Sequence, residues 1–343
     1  MKKTEVTIVS EKLPKGCGLY TYNGFLVDNL KKRGMAIRFS APKKILGNYP
    51  VSLSPPIKTM IAHFTDQKTA PILLLSPFRK YKAVLTVHDV IEIINFRDIY
   101  GTGKIKPFLV HKFWSFMIKQ GMKKADTIIA VSEHTKKDII GLIGKRKIEV
   151  IYEAADKKFR PQKVRKSPQT ILYIGSNLPH KNLITLLKAF SILLKRLPKA
   201  KLVLIGGTLP EDNGLRKEIK KLGIQDNVVF RGYIENTLPE YSKAGVFVFP
   251  SIYEGFGLPV LEAMACGCPV ICSNKTSLPE VAGDAALYFD GDDTLDLSNK
   301  IYKVINNNNL QERMRKKGLE RAKMFAWEKT AKETIRAYEK LNV

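Results

Sequence analysis

The chain has 343 residues, 44% of them apolar, with 58 Lys and Arg against 32 Asp and Glu, a formal charge of +26. That length and apolar content suit two folded domains. No run of 18 or more apolar residues is available to span a membrane, and the polar start MKKTEVTIVS reads as a first strand, not as a secretion signal.

Four cysteines, Cys17, Cys266, Cys268 and Cys272, form no disulfide framework, which fits a reducing cytoplasm. The close trio has no fourth ligand or His beside it, so it reads as small buried residues around a helix end and not as a metal site. The charge is uneven. Residues 1–168 hold 33 Lys and Arg against 13 Asp and Glu. The front half therefore faces something acidic, for which nucleic acid, anionic lipid headgroups and a diphosphate-linked acceptor are candidates. The plainer alternative is a solubilising lysine-rich surface.

Glu5 to Ser10 reads as a buried strand. Gly16 and Gly18 follow in a flexible turn, a helix is expected from about Tyr20 to Arg33, and Ala36 to Ala41 makes a second strand, together a βαβ unit. Six prolines between residues 42 and 82 break the pattern into short strands and loops, with His63 to Asp66 ending one strand. Ala83 to His88 is a clearer buried strand. It closes on His88-Asp89, and a histidine at such an edge is more often a packing or capping residue than a catalyst. Residues 92–103 read as an exposed loop, where binding specificity would reside. In the helix Ile105 to Lys124, the residues Phe108, Phe113, Trp114, Phe116, Met117 and Ile118 surround too much of the axis for one clean stripe, which predicts a buried helix with basic ends. Ala125 to Ser132 is a strand, with Ser132 as cap of the next helix. His134 reads as a surface residue. Lys147 to Tyr152 is the last strand of the first half, and Glu153-Ala-Ala-Asp156 after it carries no assigned role.

The basic, proline-bearing stretch Lys157 to Gln169 reads as a linker. Strand Thr170 to Ser176 then leads through NLPHKN into a helix from Leu183 to about Leu197. Lys181 lies in that turn, where a flexible ammonium can reach a diphosphate, unless it is an ordinary surface lysine. Further strands are expected at Lys201 to Gly207, Asn227 to Tyr233 and Gly245 to Ser251. The last opens the richest stretch, PSIYEGFGLPVLEAMACGCPV. Gly255 and Gly257 form a turn at a strand's C-terminal end, and Pro259 begins a short helix that Gly267 stops. A helix N-terminus reached by flexible glycines suits a phosphate. Glu254 and Glu262 bracket the turn and suit sugar hydroxyls, with Glu262 on a ribose and Glu254 on the transferred sugar. The plainer reading is that both merely favour the positive helix end, worth about 0.3–1 kcal/mol each. Asp290 to Asp293 resembles an Asp-x-Asp metal pair, but its place before a helix favours a turn and a cap.

EGFGLPVLEAMACGCPV resembles the Glu-x7-Glu motif of retaining glycosyltransferases of the GT-B fold, family four, and the resemblance spans nearly the whole chain. It implies an α/β architecture of two Rossmann-like domains with parallel sheets facing across a cleft. The implied domains are an acceptor-binding domain over 1–165, a nucleotide-sugar domain over 166–325, and a terminal helix over 326–343 returning to the first domain. It also implies donor contacts from Gly16, Gly18, Ser176, His180, Ile234, Gly255, Phe256, Gly257, Leu258 and Glu262, and catalytic contacts from His88, Lys181 and Glu254. Ser176 stands where the family has a basic residue, and His180 where another often precedes the lysine. The implied donor is a nucleotide-diphosphate sugar, mannose or glucose by family habit, with no metal. The implied acceptor is a glycan or polyprenyl-linked molecule at the inner face of the cell membrane, with the basic first domain against anionic lipid.

A sugar–nucleotide epimerase or a phosphorylase would share the architecture, but no catalytic pair for the first or cofactor lysine for the second is apparent. A nucleic-acid binder would explain the charge, but no such motif is present.

Overall fold

A computed structural model describes residues 5–11, 18–42, 57–76, 78–94, 105–207 and 214–342, with backbone alone for 105–108. Gly16 and Cys17 lie outside the described residues. By packing, the chain divides into two units, one of residues 1–153 and 326–343, the other of residues 154–325.

In the first unit, short apolar runs alternate with helices, and the result is a six-stranded parallel sheet. Its strands are β1 (Glu5–Val9), β2 (Ala36–Ser40), β3 (Ile61–Phe64), β4 (Lys82–Val87), β5 (Thr127–Ala130) and β6 (Ile148–Val150), in the order β2-β1-β3-β4-β5-β6. β3 and β5 are buried along their whole length, as unbroken apolar strands covered on both faces should be. Helix Gly18–Lys32 buries Tyr22, Leu26 and Leu30, spaced at i, i+4 and i+8 on one face. The terminal helix Trp327–Glu339 belongs to this unit. Its Trp327 ring lies 5.7 Å from Tyr22 and 5.3 Å from Phe25, and its Tyr338 hydroxyl is 2.7 Å from His63 Nδ1. His63 is fully buried, and burial holds its imidazole down to about 3, so it is neutral; its other nitrogen meets Thr86.

Helix Ile105–Lys124 departs from the expectation of a buried helix. Trp114, Ile118 and Met122 are buried, whereas Leu109, Val110, Phe113 and Phe116 are exposed. The helix buries one face against residues 67–74, where a Cβ at Gly121 would run into the Ala70 carbonyl, and leaves an apolar opposite face. Among the described residues no helix is long and apolar enough to cross a membrane.

The second unit carries β7 (Ser167–Ile174), β8 (Lys201–Ile205), β9 (Val228–Phe230), β10 (Ala244–Phe249), β11 (Val270–Ser273) and β12 (Ala286–Phe289), all parallel, in the order β12-β11-β10-β7-β8-β9. Counted within the unit, this is the 3-2-1-4-5-6 arrangement of dinucleotide-binding sheets, and the order reverses between β7 and β10. Residues 154–165 pack with this unit because Phe159 is buried in its core, 5.9 Å from the Tyr241 ring. Cys266, Cys268 and Cys272 are buried, and burial raises the Cys268 thiol to about 12, so they pack as small apolar residues. Asp293 caps helix Thr294–Ile305 by accepting from the Asp296 amide at 2.8 Å. Ser132 does the same for helix Glu133–Ile143 from the Thr135 amide at 3.0 Å. His134 is half-exposed, 3.3 Å from Asp138 one turn on.

Candidate active site

Ligands of open α/β sheets sit beyond the C-terminal strand ends where the strand order reverses. In the second unit that point is flanked by the loops after β7 and β10, and the two are stitched together. The His180 carbonyl accepts from the Ile252 amide at 2.9 Å and from the Ser251 hydroxyl at 3.1 Å. Asn182, in a left-handed conformation at φ 54°, ends the first loop, and its side-chain amide donates to the Gly291 carbonyl at 2.6 Å. This geometry carries the Lys181 Nζ to 2.6 Å from Glu254 Oε1, 73 positions away in sequence, with both side chains largely buried. The same ammonium lies 5.7 Å from the Phe249 ring centroid.

The loop after β11 fixes the glycine turn from behind. The Glu254 amide donates to the Thr276 hydroxyl at 3.0 Å, and the Ser277 hydroxyl lies 2.9 Å and 2.7 Å from the carbonyls of Glu254 and Phe256 as their donor. Gly255, Phe256 and Gly257 are buried, and Leu258 is half-exposed. Gly257 has φ 117°, a region open to glycine but strained for other residues, and a Cβ there would also come 2.9 Å from Leu278. It caps helix Leu258–Ala265 and has no side chain to fill the first turn. The N–H end of that helix therefore keeps its partial positive charge unmet by a cap.

Glu262 lies on this helix. Burial pushes its carboxyl up to about 7, against the Tyr241 hydroxyl that donates to Oε2 at 3.0 Å and the Lys158 charge, both of which pull it down. It is thus poised between acid and carboxylate near neutral pH. Ser176 is half-exposed, and its carbonyl accepts from the Tyr173 hydroxyl at 2.6 Å. The His180 ring is buried. Ile234 packs at the edge of the core, after the Gly232 carbonyl that accepts from the Gly206 amide at 2.6 Å.

In the first unit, Gly18 opens helix Gly18–Lys32, and a Cβ there would meet open space, so packing alone does not require glycine. His88 follows β4 at the C-terminal edge of its sheet. Its ring is not free, because Nδ1 is 2.7 Å from Glu153 Oε1 and Nε2 is 3.0 Å from the Thr65 carbonyl. Asp89 accepts from the Ile91 amide at 3.1 Å, a turn cap. Glu153, Tyr241, Thr276 and Ser277 were not singled out from the sequence. The one available signal was for Glu153, a carboxylate soon after the last strand of its half.

Residues 155–321 match the family described as glycosyl transferases group 1, and residues 59–159 match glycosyltransferase family 4. The O-antigen chain mannosyltransferase B of Escherichia coli is 33% identical over 281 residues, which cover 77% of this chain and 72% of that protein. The serotype-specific mannosyltransferase WbdA of Escherichia coli is 27% identical over 280 residues, and this chain spans about a third of its length (34%). Among solved structures, a sucrose-phosphate synthase from Thermosynechococcus elongatus superposes with a TM-score of 0.80 at 20% identity, covering 99% of both chains. The two parallel sheets are thus those of the GT-B fold, and the chain belongs to the glycosyl transferases group 1, glycosyltransferase family 4.

Proposed function

We propose that this glycosyltransferase moves a hexose, mannose or glucose, from a nucleotide-diphosphate sugar to a glycan or lipid-linked acceptor in cell-surface polysaccharide synthesis, with retention of anomeric configuration. The observation that supports it most is the Lys181–Glu254 pair held at the switch point of the second sheet. The mannosyltransferase relative of Escherichia coli supports the sugar.

In the reaction the bond from the anomeric carbon to the diphosphate oxygen breaks, and the acceptor oxygen bonds to the same face of that carbon. The acceptor proton passes to the departing phosphate oxygen. Lys181 and the N–H end of helix Leu258–Ala265 meet the charge that develops on that group, which is where preorganised donors lower a barrier most. This takes the electrostatic role that a metal fills in other transferases. Glu254 accepts from a sugar hydroxyl, and Lys181 holds its carboxylate in place meanwhile. Glu262 in its ionised form accepts from the ribose.

The acceptor side is read from the first unit. Leu109, Phe113 and Phe116 recur at i, i+4 and i+7 on the exposed face of helix Ile105–Lys124. Between Asp98 and Asp126 the sequence has six lysines and no acid. Exposed aromatics bounded by lysines fit an anionic bilayer surface at the cytoplasmic side.

A donor screen tests the proposal. UDP-, GDP- and ADP-hexoses are followed by thermal shift and slow hydrolysis, with and without chelator, and the anomer of the product is read by NMR. One nucleotide sugar should bind and turn over with chelator present and give the donor's own anomer. Inversion, or activity lost to chelator, would overturn those parts of the reading. Flotation with phosphatidylglycerol vesicles should show salt-sensitive binding that Phe113→Ser weakens. Equal binding to neutral vesicles would refute the lipid contact.

A further inference from the structure

His88 is enclosed by acceptors. The Thr65 carbonyl at 3.0 Å has no hydrogen to give, so Nε2 carries one. The Glu153 carboxylate at 2.7 Å from Nδ1 accepts as well, which calls for a hydrogen on that nitrogen too. A ring with hydrogens on both nitrogens is an imidazolium. The other groups around it agree. Asp66 adds negative charge nearby, the neutral His63 lies on the neighbouring strand, and the Tyr22 ring meets the imidazole edge-on at 4.6 Å, while burial lifts the neighbouring Asp89 to about 6 so that it is charged only above that pH. The His88 amide donates to Gln67 Oε1 at 3.2 Å, which fixes the backbone that carries the ring. Burial is the largest single influence and opposes the charge, but the Glu153 hydrogen bond and charge, Asp66 and the Thr65 carbonyl together raise the His88 pKa above the usual imidazole value.

We propose that Glu153 is the positioning residue for His88, holding it as a fixed cation across the neutral range, so that His88 contributes charge to the glycosyl transfer and not proton exchange. This rests on the hexosyl-transfer reading above. A neutral His88 would offer a lone pair for acid–base work. The pinned ring has none to offer, because both of its nitrogens already donate. Glu153 is itself 5% exposed and follows β6, two strands from β4 in the sheet. A buried carboxylate at that place has an evident partner in this ring.

The test is the imidazole titration of His88 by NMR in the full chain, assigned among the five histidines by the signal lost in His88→Gln. In the wild type the midpoint should lie above 6.5, and in Glu153→Gln it should fall below 6.5, because burial, the largest single influence, is then opposed only by Asp66 and the Thr65 carbonyl. The kcat at saturating donor, read apart from the KM that follows Glu262, should be flat between pH 5.5 and 7.5 in the wild type. In Glu153→Gln its kcat should fall at pH 7.5 and recover toward pH 5.5, with KM for donor little changed. Glu153→Asp, which keeps the charge, should keep a midpoint above that of Glu153→Gln. A wild-type midpoint at or below 6.5 would overturn the proposal even if Glu153→Gln does not fold, and so would a midpoint that Glu153→Gln leaves in place. If the titration moves as expected but no nucleotide sugar turns over, the hexosyltransferase reading fails and the ion pair stands.

Discussion

Donor binding should be pH-dependent through Glu262, and Tyr241 should set where the dependence falls. The Glu262 carboxyl is held up at about 7 by burial, and the Tyr241 hydroxyl at 3.0 Å favours its charged form. Only the carboxylate accepts a ribose hydroxyl well, so affinity should follow the ionised fraction. That fraction is about a tenth at pH 6 and about nine tenths at pH 8, a change of about one decade in Kd. Tyr241→Phe removes a hydrogen bond to a charged group, worth about 1.5–3 kcal/mol, and should raise the carboxyl by one to two further pH units. At pH 7.5 the variant should therefore bind roughly eightfold more weakly than the wild type, and its affinity should recover as pH rises. The substitution keeps the ring, which is fully buried and lies 5.3 Å from Phe247 and 5.9 Å from Phe159, so the fold should survive it. Calorimetric titration with the intact nucleotide sugar is the assay, since its diphosphate diester does not titrate in this range. A Kd constant from pH 6 to 8.5, or a Tyr241→Phe profile that overlies the wild type, would refute the reasoning. The linkage to folding has a definite sign. A raised carboxyl favours the folded state below its ordinary value of 4.5, and that contribution, of order 3 kcal/mol, is lost as pH rises through about 7.

Three further outcomes are expected. Lys181→Ala should lower kcat by at least two decades and leave Glu254 without its 2.6 Å partner, and Lys181→Arg should not restore it, because a planar fork does not replace a compact ammonium; single-turnover rates decide this. Gly257→Ala should destabilise the second unit by about 1–3 kcal/mol, since φ 117° and the approach to Leu278 strain any side chain, and denaturant melting measures it. Trp327→Ala should cost about 3–5 kcal/mol by opening a cavity against Tyr22 and Phe25, seen as a lower midpoint in the same experiment. A loss under 1 kcal/mol would mean that the terminal helix does not depend on this contact.

Much of the architecture was legible in order along the chain. Apolar runs bounded by glycine and proline marked the strands, and the caps Ser132 and Asp293 could be read because a cap and its amide lie three residues apart. The helix Leu258–Ala265 was legible from Pro259 and Gly267 for the same reason. The spacing of Glu254 and Glu262 drew attention to the turn between them, but not to what each carboxylate touches. Glu254 meets Lys181 across 73 positions, Glu262 meets Tyr241 across 21, and Glu153 meets His88 across 65. Those pairs exist because the strand order places particular loops side by side. That order is set by how each crossover packs on the sheet, not by any signal within a few residues. The helix Ile105–Lys124 shows the same division. Its composition alone suggested burial all round. Only packing against residues 67–74 decided that Trp114 turns inward and Phe113 and Phe116 outward. Periodicity, caps and turn residues act over one or two turns of chain, so the sequence by itself determined the elements and the fold class. The ionisation of Glu262 and His88 comes from burial and from partners distant in sequence, and only the tertiary structure decided it.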